Sequence, residues 1–289
     1  MAQLLLEPEQ LQSMLADDTL RVVVFDVRHD LADHAAGRQA YEQGHIPSAI
    51  YLDHERDLSA PKNGRNGRHP LPELPAFAAQ MASLGVQPGV QVVVYDAGNS
   101  MFAAHLWWML RWMGHYQVAV LNGGWQAWLA ANGGVETGAP ADRPAPAAQK
   151  AVSISMPVVD AAAVLANLTQ QKFVVLDARA QNRYRGETEP MDPVAGHIPG
   201  ALNRPNSLNC QPDGTFKSAA QLRDEFQAVL KRTPADRVVH QCGSGITACH
   251  NLFAMELAGL TGSALYPGSW SEWCSDPDRP VATGDEPAV

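Results

Sequence analysis

The chain alternates between two kinds of apolar pattern. Short runs dominated by Val, Leu and Phe at Leu20 to Phe25, Gln91 to Tyr95, Gln117 to Leu121, Phe173 to Leu176, Arg237 to Gln241 and Ala264 to Tyr266 predict strands. Helical spacing of apolar residues marks Pro8 to Leu15, Met101 to Met113, Asp160 to Leu168 and Ala248 to Leu257, the last stopped by Gly259. Strands without a polar face, such as Val92-Val93-Val94, need cover on both sides. The pattern therefore predicts an α/β protein whose small, mostly parallel sheets are flanked by helices.

Three landmarks occur twice in the same order. Phe25-Asp26-Val27-Arg28 returns as Leu176-Asp177-Ala178-Arg179, Gly44-His45-Ile46-Pro47 as Gly196-His197-Ile198-Pro199, and Gly123-Gly124-Trp125 as Gly268-Ser269-Trp270. Recurrence in register predicts two tandem copies of one domain. The expected boundaries are residues 1–135, a Pro/Ala-rich linker at 136–157 containing Arg143-Pro144-Ala145-Pro146, and 158–289. A length of 289 residues with 46% hydrophobic content accommodates two cores.

The candidate chemistry sits after the strand at Arg237 to Gln241, in Cys242-Gly243-Ser244-Gly245-Ile246-Thr247. A cysteine at a strand end, followed by glycines and a helix start, lies where inward N–H groups and the helix dipole favour a thiolate. Gly243, Gly245, Ile246 and Thr247 would supply backbone N–H groups, because the loop itself holds no Lys, Arg or His. In the first copy the equivalent position is Asp96, so only the second copy carries a nucleophile. A cysteine phosphatase would need an arginine six residues beyond Cys242, where Ala248 stands.

These motifs together resemble the two-domain sulfurtransferases of the rhodanese superfamily, with the cysteine loop similar to that of 3-mercaptopyruvate sulfurtransferases. The resemblance implies two rhodanese-like domains, the second catalytic, and transfer of a sulfane sulfur through a Cys242 persulfide. It implies a thiol, cyanide or thioredoxin-like acceptor, with thiosulfate as the alternative donor and a non-enzymatic persulfide carrier as the alternative role. On motif position it matches Arg183 to a substrate-carboxylate arginine. A second arginine used by animal members has no counterpart in Thr188 to Asp192, where Met191 stands, and Arg185 is its expected substitute. Ser244 is expected to bond the ketone or enolate oxygen. A serine, histidine and aspartate relay would match His45 and Asp33, although His45 also lies in a repeated turn that suits a structural role.

Composition removes other classes. A net charge of −9 argues against a nucleic-acid partner, and the one basic cluster, Lys62 to Arg68, lies in a Gly/Asn-rich stretch expected to be a solvated loop. No apolar run approaches the ~18 residues of a membrane span. Cys210, Cys242, Cys249 and Cys274 without a secretory signal at Met1-Ala2-Gln3-Leu4 point to free thiols in a reducing, cytoplasmic setting. No Cys or His spacing suggests a metal site, and no cofactor motif is present. Cys249 and the seven tryptophans are expected in the core.

Overall fold

The computed structural model describes residues 3–140 and 154–285. Of the expected linker at 136–157, residues 141–153 lie outside the described part, as do Met1 and Ala2. The described residues of Met1–Ala60, Leu71–Met156 and Cys210–Phe216 form one unit, and those of Pro61–Pro70, Pro157–Asn209 and Lys217–Val289 form the other.

The first unit holds β1 (Leu5–Leu6), β2 (Val22–Asp26), β3 (Ile50–Tyr51), β4 (Gln91–Tyr95) and β5 (Val118–Leu121) in the order β1-β5-β4-β2-β3. The second holds β6 (Val174–Asp177), β7 (Leu202–Asn203), β8 (Val238–Gln241) and β9 (Ala264–Leu265) in the order β7-β6-β8-β9. All pairings in both sheets are parallel, and with β1 set aside the two orders are the same. Val92, Val93 and Val94 are buried, as double-sided cover requires.

The helix Pro8–Leu15 has its expected bounds, opened by Pro8 and by Gln10, whose side chain accepts from the Glu7 N–H. The helix Ala219–Leu230 has a capping box, Ser218 with Gln221, that is readable in the sequence as Ser-x-x-Gln. Of the four two-residue strands among the described residues, β9 falls in the expected run Ala264 to Tyr266, while β1, β3 and β7 carry no period to read and only their neighbours make them strands.

Each unit is pinned at one strand end by a buried ion pair. Asp26, the last residue of β2, receives Arg28 through Nε at 2.9 Å and Nη2 at 2.6 Å, while the same Nη2 donates to the Gly44 carbonyl at 2.6 Å. The guanidinium lies 4.8 Å from the Trp125 ring centroid. In the second unit Asp177, Arg179, the Gly196 carbonyl and Trp270 repeat this arrangement, with Nη2 bonds of 2.6 and 2.7 Å and a ring distance of 4.7 Å. The histidines of the repeated turn are likewise equivalent. His45 bonds the Tyr41 carbonyl and stacks on that ring, as His197 does with Tyr184. Trp107, Trp108, Trp128, Trp270 and Trp273 are fully buried.

His240, in the middle of β8, tests the cost of burying a titratable ring. Burial, with the Arg204 charge adding to it, pushes its pKa down to about 3 from 6.5, so the folded protein holds it neutral. The unfolded chain takes up that proton near its ordinary value, so unfolding binds a proton as pH falls below about 6.5. Stability from this group is therefore full above about pH 7 and is lost progressively towards pH 3, by roughly 3 kcal/mol at about pH 4. Urea midpoints followed by circular dichroism between about pH 8 and pH 4 should fall, and His240→Gln should flatten that decline. An unchanged slope in the variant would refute the assignment.

Candidate active site

Cys242 follows β8 directly and is almost fully enclosed. Its Sγ accepts the backbone N–H groups of Ser244 at 3.4 Å and Gly245 at 3.1 Å. The helix Ile246–Leu257 begins two residues before the expected Ala248, so Ile246 and Thr247 form its first turn immediately beyond the sulfur. Gly245 makes this possible. Its φ is +91°, and a β-carbon there would lie 2.7 Å from the Pro267 carbonyl oxygen. The loop is fixed from the side of Gly268 to Ser271. Ser269 Oγ accepts the Cys242 N–H, while the N–H groups of Trp270 and Ser271 donate to the Cys242 and Gly243 carbonyls at 2.9 and 3.0 Å.

Two guanidinium groups cover this cation-free loop. A β-carbon on Gly243 would lie 2.6 Å from Arg68 Nη2 and 3.6 Å from both terminal nitrogens of Arg183. Arg183, on the helical turn Gln181–Tyr184, is held by Glu189 through Nη2 at 2.6 Å and Nε at 3.1 Å. Asp192 accepts from Arg68 Nη1 and sits 3.4 Å from Arg183 Nη2. Burial works to raise the Glu189 pKa, but Arg183 and the N–H groups of Met191 and Asp192 outweigh it and hold it below the usual carboxylate value. Arg68 Nε is buried with no hydrogen-bond partner.

Two sequence expectations are corrected here. The basic cluster Lys62 to Arg68 is not simply a solvated loop, because Pro61–Pro70 belongs to the second unit and the Arg68 N–H donates to Ser271 Oγ at 3.0 Å. Arg185 is not the second guanidinium at the loop. It pairs at the surface with Asp285, Nε to Oδ1 at 2.7 Å.

The histidine that the structure brings to Ser244 is His69, with Nδ1 2.8 Å from Oγ and both side chains buried. This corrects the expected relay of His45 and Asp33. The ring of His45 is committed to Tyr41, and Asp33 is an exposed turn residue whose carboxylate accepts the Ala35 N–H at 3.0 Å. The only sequence signal for His69 was an Arg-His pair between Gly67 and Pro70, with nothing to tie it to residue 244. Cys249 is buried in the helix after the loop, and burial, with the nearby Cys242 adding to it, raises its pKa well above the usual thiol value. Its thiol is held in the unreactive form.

The first unit keeps the loop geometry without the sulfur. After β4, the Asp96 carboxylate accepts N–H groups from Phe102 at 2.9 Å, Gly98 and Ser100 at 3.0 Å, and Ala103 at 3.3 Å. Burial raises its pKa against the pull of those four bonds. A carboxylate in this ring of N–H groups cannot take up sulfur.

Among the described residues, no helix is long and apolar enough to cross a membrane. The family model for the rhodanese-like domain matches residues 7–131 and again 160–276. A probable 3-mercaptopyruvate sulfurtransferase of Pseudomonas aeruginosa is 47% identical over 284 residues, covering 97% of this chain and 98% of the relative. A thiosulfate sulfurtransferase of Cricetulus griseus is 38% identical over 257 residues, covering 86% and 84%. The solved 3-mercaptopyruvate sulfurtransferase of Leishmania major superposes with a TM-score of 0.82 at 29% identity, over 94% of this chain and 74% of its own. With its parallel sheets and two matches to one family model, the chain belongs to the rhodanese-like domain family and carries that domain twice.

Proposed function

We propose that this protein is a sulfurtransferase that takes sulfur from 3-mercaptopyruvate onto Cys242 and passes it to a thiol or cyanide. The observation that carries this reading is the placement of Arg68 and Arg183 over Gly243, with Ser244 and His69 beside the nucleophile. Two planar guanidinium groups suit a substrate carboxylate, and the Ser244 hydroxyl suits the neighbouring ketone oxygen. The names of the Pseudomonas and Leishmania relatives support the same donor.

In the first half-reaction the Cys242 thiolate attacks the substrate sulfur. The S–S bond forms as the carbon–sulfur bond breaks, and its electron pair passes to the three-carbon fragment as the enolate of pyruvate. Ser244, backed by His69, donates to the oxygen where that charge develops. The thiol proton of the substrate ends on carbon, releasing pyruvate and leaving a Cys242 persulfide. An acceptor thiolate or cyanide then attacks the outer sulfur and releases the Cys242 thiolate. A thioredoxin-like dithiol in the cytoplasm fits as acceptor, since its thiolate can attack the outer sulfur and its second thiol can then release the sulfur as sulfide.

Thiosulfate is the second reading, favoured by the same two guanidinium groups, which also suit a sulfonate, and by the name of the Cricetulus relative. Within either reading, residues 1–135 form the domain without a nucleophile, 136–157 join the two, and 158–289 hold Cys242, with Arg68 and His69 supplied from the first stretch.

Incubation with donor should add about 32 mass units to the intact protein, the mass of one sulfur, removable by cyanide. Cys242→Ser should lose both adduct and turnover, and Cys249→Ser should keep both. An active Cys242→Ser protein would overturn the mechanism.

Arg68→Ala and Arg183→Ala should each lower kcat/KM for 3-mercaptopyruvate roughly ten- to a hundred-fold, the loss of a charge-assisted hydrogen bond of about 1.5–3 kcal/mol. Initial rates with 3-mercaptopyruvate and thiosulfate, measured side by side, decide between donors. A higher kcat/KM for thiosulfate would reject the first reading, and an unaffected Arg68→Ala would remove that residue from the site.

A further inference from the structure

In the first unit a second group of side chains converges that has no part in sulfur transfer. The ring centroids of His29 and His34 lie 5.6 Å apart, those of His29 and His54 5.5 Å, and those of His54 and His105 4.9 Å. Phe102 packs edge-on against His29 and His54, each at 5.2 Å. One ligand-capable atom from each of His29, His34 and Glu55 lies within 4.8 Å of the others.

The topology explains why these residues meet. β2 and β3 are parallel neighbours, with Phe25 opposite Ile50 and Asp26 opposite Tyr51, so their C-terminal ends finish side by side. His29 comes from the segment leaving β2, His34 follows in the same loop, and Glu55 lies on the helical turn His54–Asp57 that leaves β3. The ligand spacing in sequence therefore resembles no metal motif, which is why the sequence predicted none.

His29 is the side chain that asks for a partner. Both ring nitrogens are shielded from solvent and neither has a hydrogen bond. Shielded ring nitrogens without a partner carry an unmet polar cost that a ligand would remove. His34 is exposed and Glu55 half-buried, so both can shift by rotamer to close on a common point. His54 and His105 are buried behind them and form the wall of the site.

We propose that His29, His34 and Glu55 form a binding site for a divalent late first-row cation, with water completing the shell. Two imidazoles and one carboxylate suit Zn²⁺, Co²⁺ or Ni²⁺. They do not suit Mg²⁺ or Ca²⁺, which prefer oxygen throughout. The ion ties the loop after β2 to the helical turn after β3.

The test uses the full chain carrying Cys242→Ser, so that the active-site thiol cannot bind metal. Zn²⁺ binding is followed by calorimetry and Co²⁺ binding by its visible absorption, with Mg²⁺ as the control. One equivalent per chain is expected for Zn²⁺ and Co²⁺, together with a rise in the thermal midpoint. His34→Ala and Glu55→Gln, at positions where the fold tolerates change, should each weaken binding at least about tenfold and abolish the thermal shift, with unchanged circular dichroism. His115→Ala, elsewhere in the same unit, should leave binding intact. Absence of stoichiometric binding, or binding unaffected by both His34→Ala and Glu55→Gln, would overturn the proposal.

Discussion

The active-site geometry depends on the buried pair of Asp177 and Arg179. Burial works against the guanidinium charge, yet Asp177 outweighs it and raises the Arg179 pKa. From this one point, Arg179 donates to the Gly196 carbonyl, lies against Trp270 and reaches Glu189 at 3.4 Å. The backbone N–H of Trp270 in turn donates to the Cys242 carbonyl, and Glu189 orients Arg183. The Cys242 backbone and the Arg183 guanidinium are thus both referred to a single ion pair. Buried pairs of this kind add little net stability over an apolar replacement, but losing one partner leaves an unpaired buried charge and costs about 3–5 kcal/mol.

The same frame in the first unit serves a different end. Arg28 holds Asp26, the Gly44 carbonyl and Trp125 as its counterpart does, and the strand-end loop again turns its N–H groups inward. At the centre of that ring stands Asp96 rather than Cys242. The geometry of the ring selects for an anion. A carboxyl group at the centre of one ring and a thiol at the centre of the other separate the two loops.

What could be read from the sequence follows how local each feature is. The cysteine loop, the Asp-x-Arg pairs and the longer strands were legible because each depends on consecutive residues and one period. Arg183 was legible through its motif, and Asp96 through its place after Val92-Val93-Val94. Arg68 and His69 were not, because they reach the loop from a segment more than a hundred residues earlier in the chain. His45 drew a catalytic reading from motif position alone, while its Nδ1 is already spent on a backbone carbonyl. The strands β3 and β7 owe their existence to pairing, and a two-residue stretch carries no period of its own.

The ten residues Pro61–Pro70 have a consequence for how this chain can change over time. The first unit holds a carboxylate, Asp96, where the second holds a thiol. The segment Pro61–Pro70 runs between β3 and β4 in sequence yet belongs to the second unit, where it sets Arg68 beside Gly243 and His69 beside Ser244. A shortened descendant beginning at the second domain would inherit the sulfur-bearing loop without either side chain. The chain therefore cannot be cut between its two halves without stripping the Cys242 loop of two neighbours, so the two copies are not separable modules.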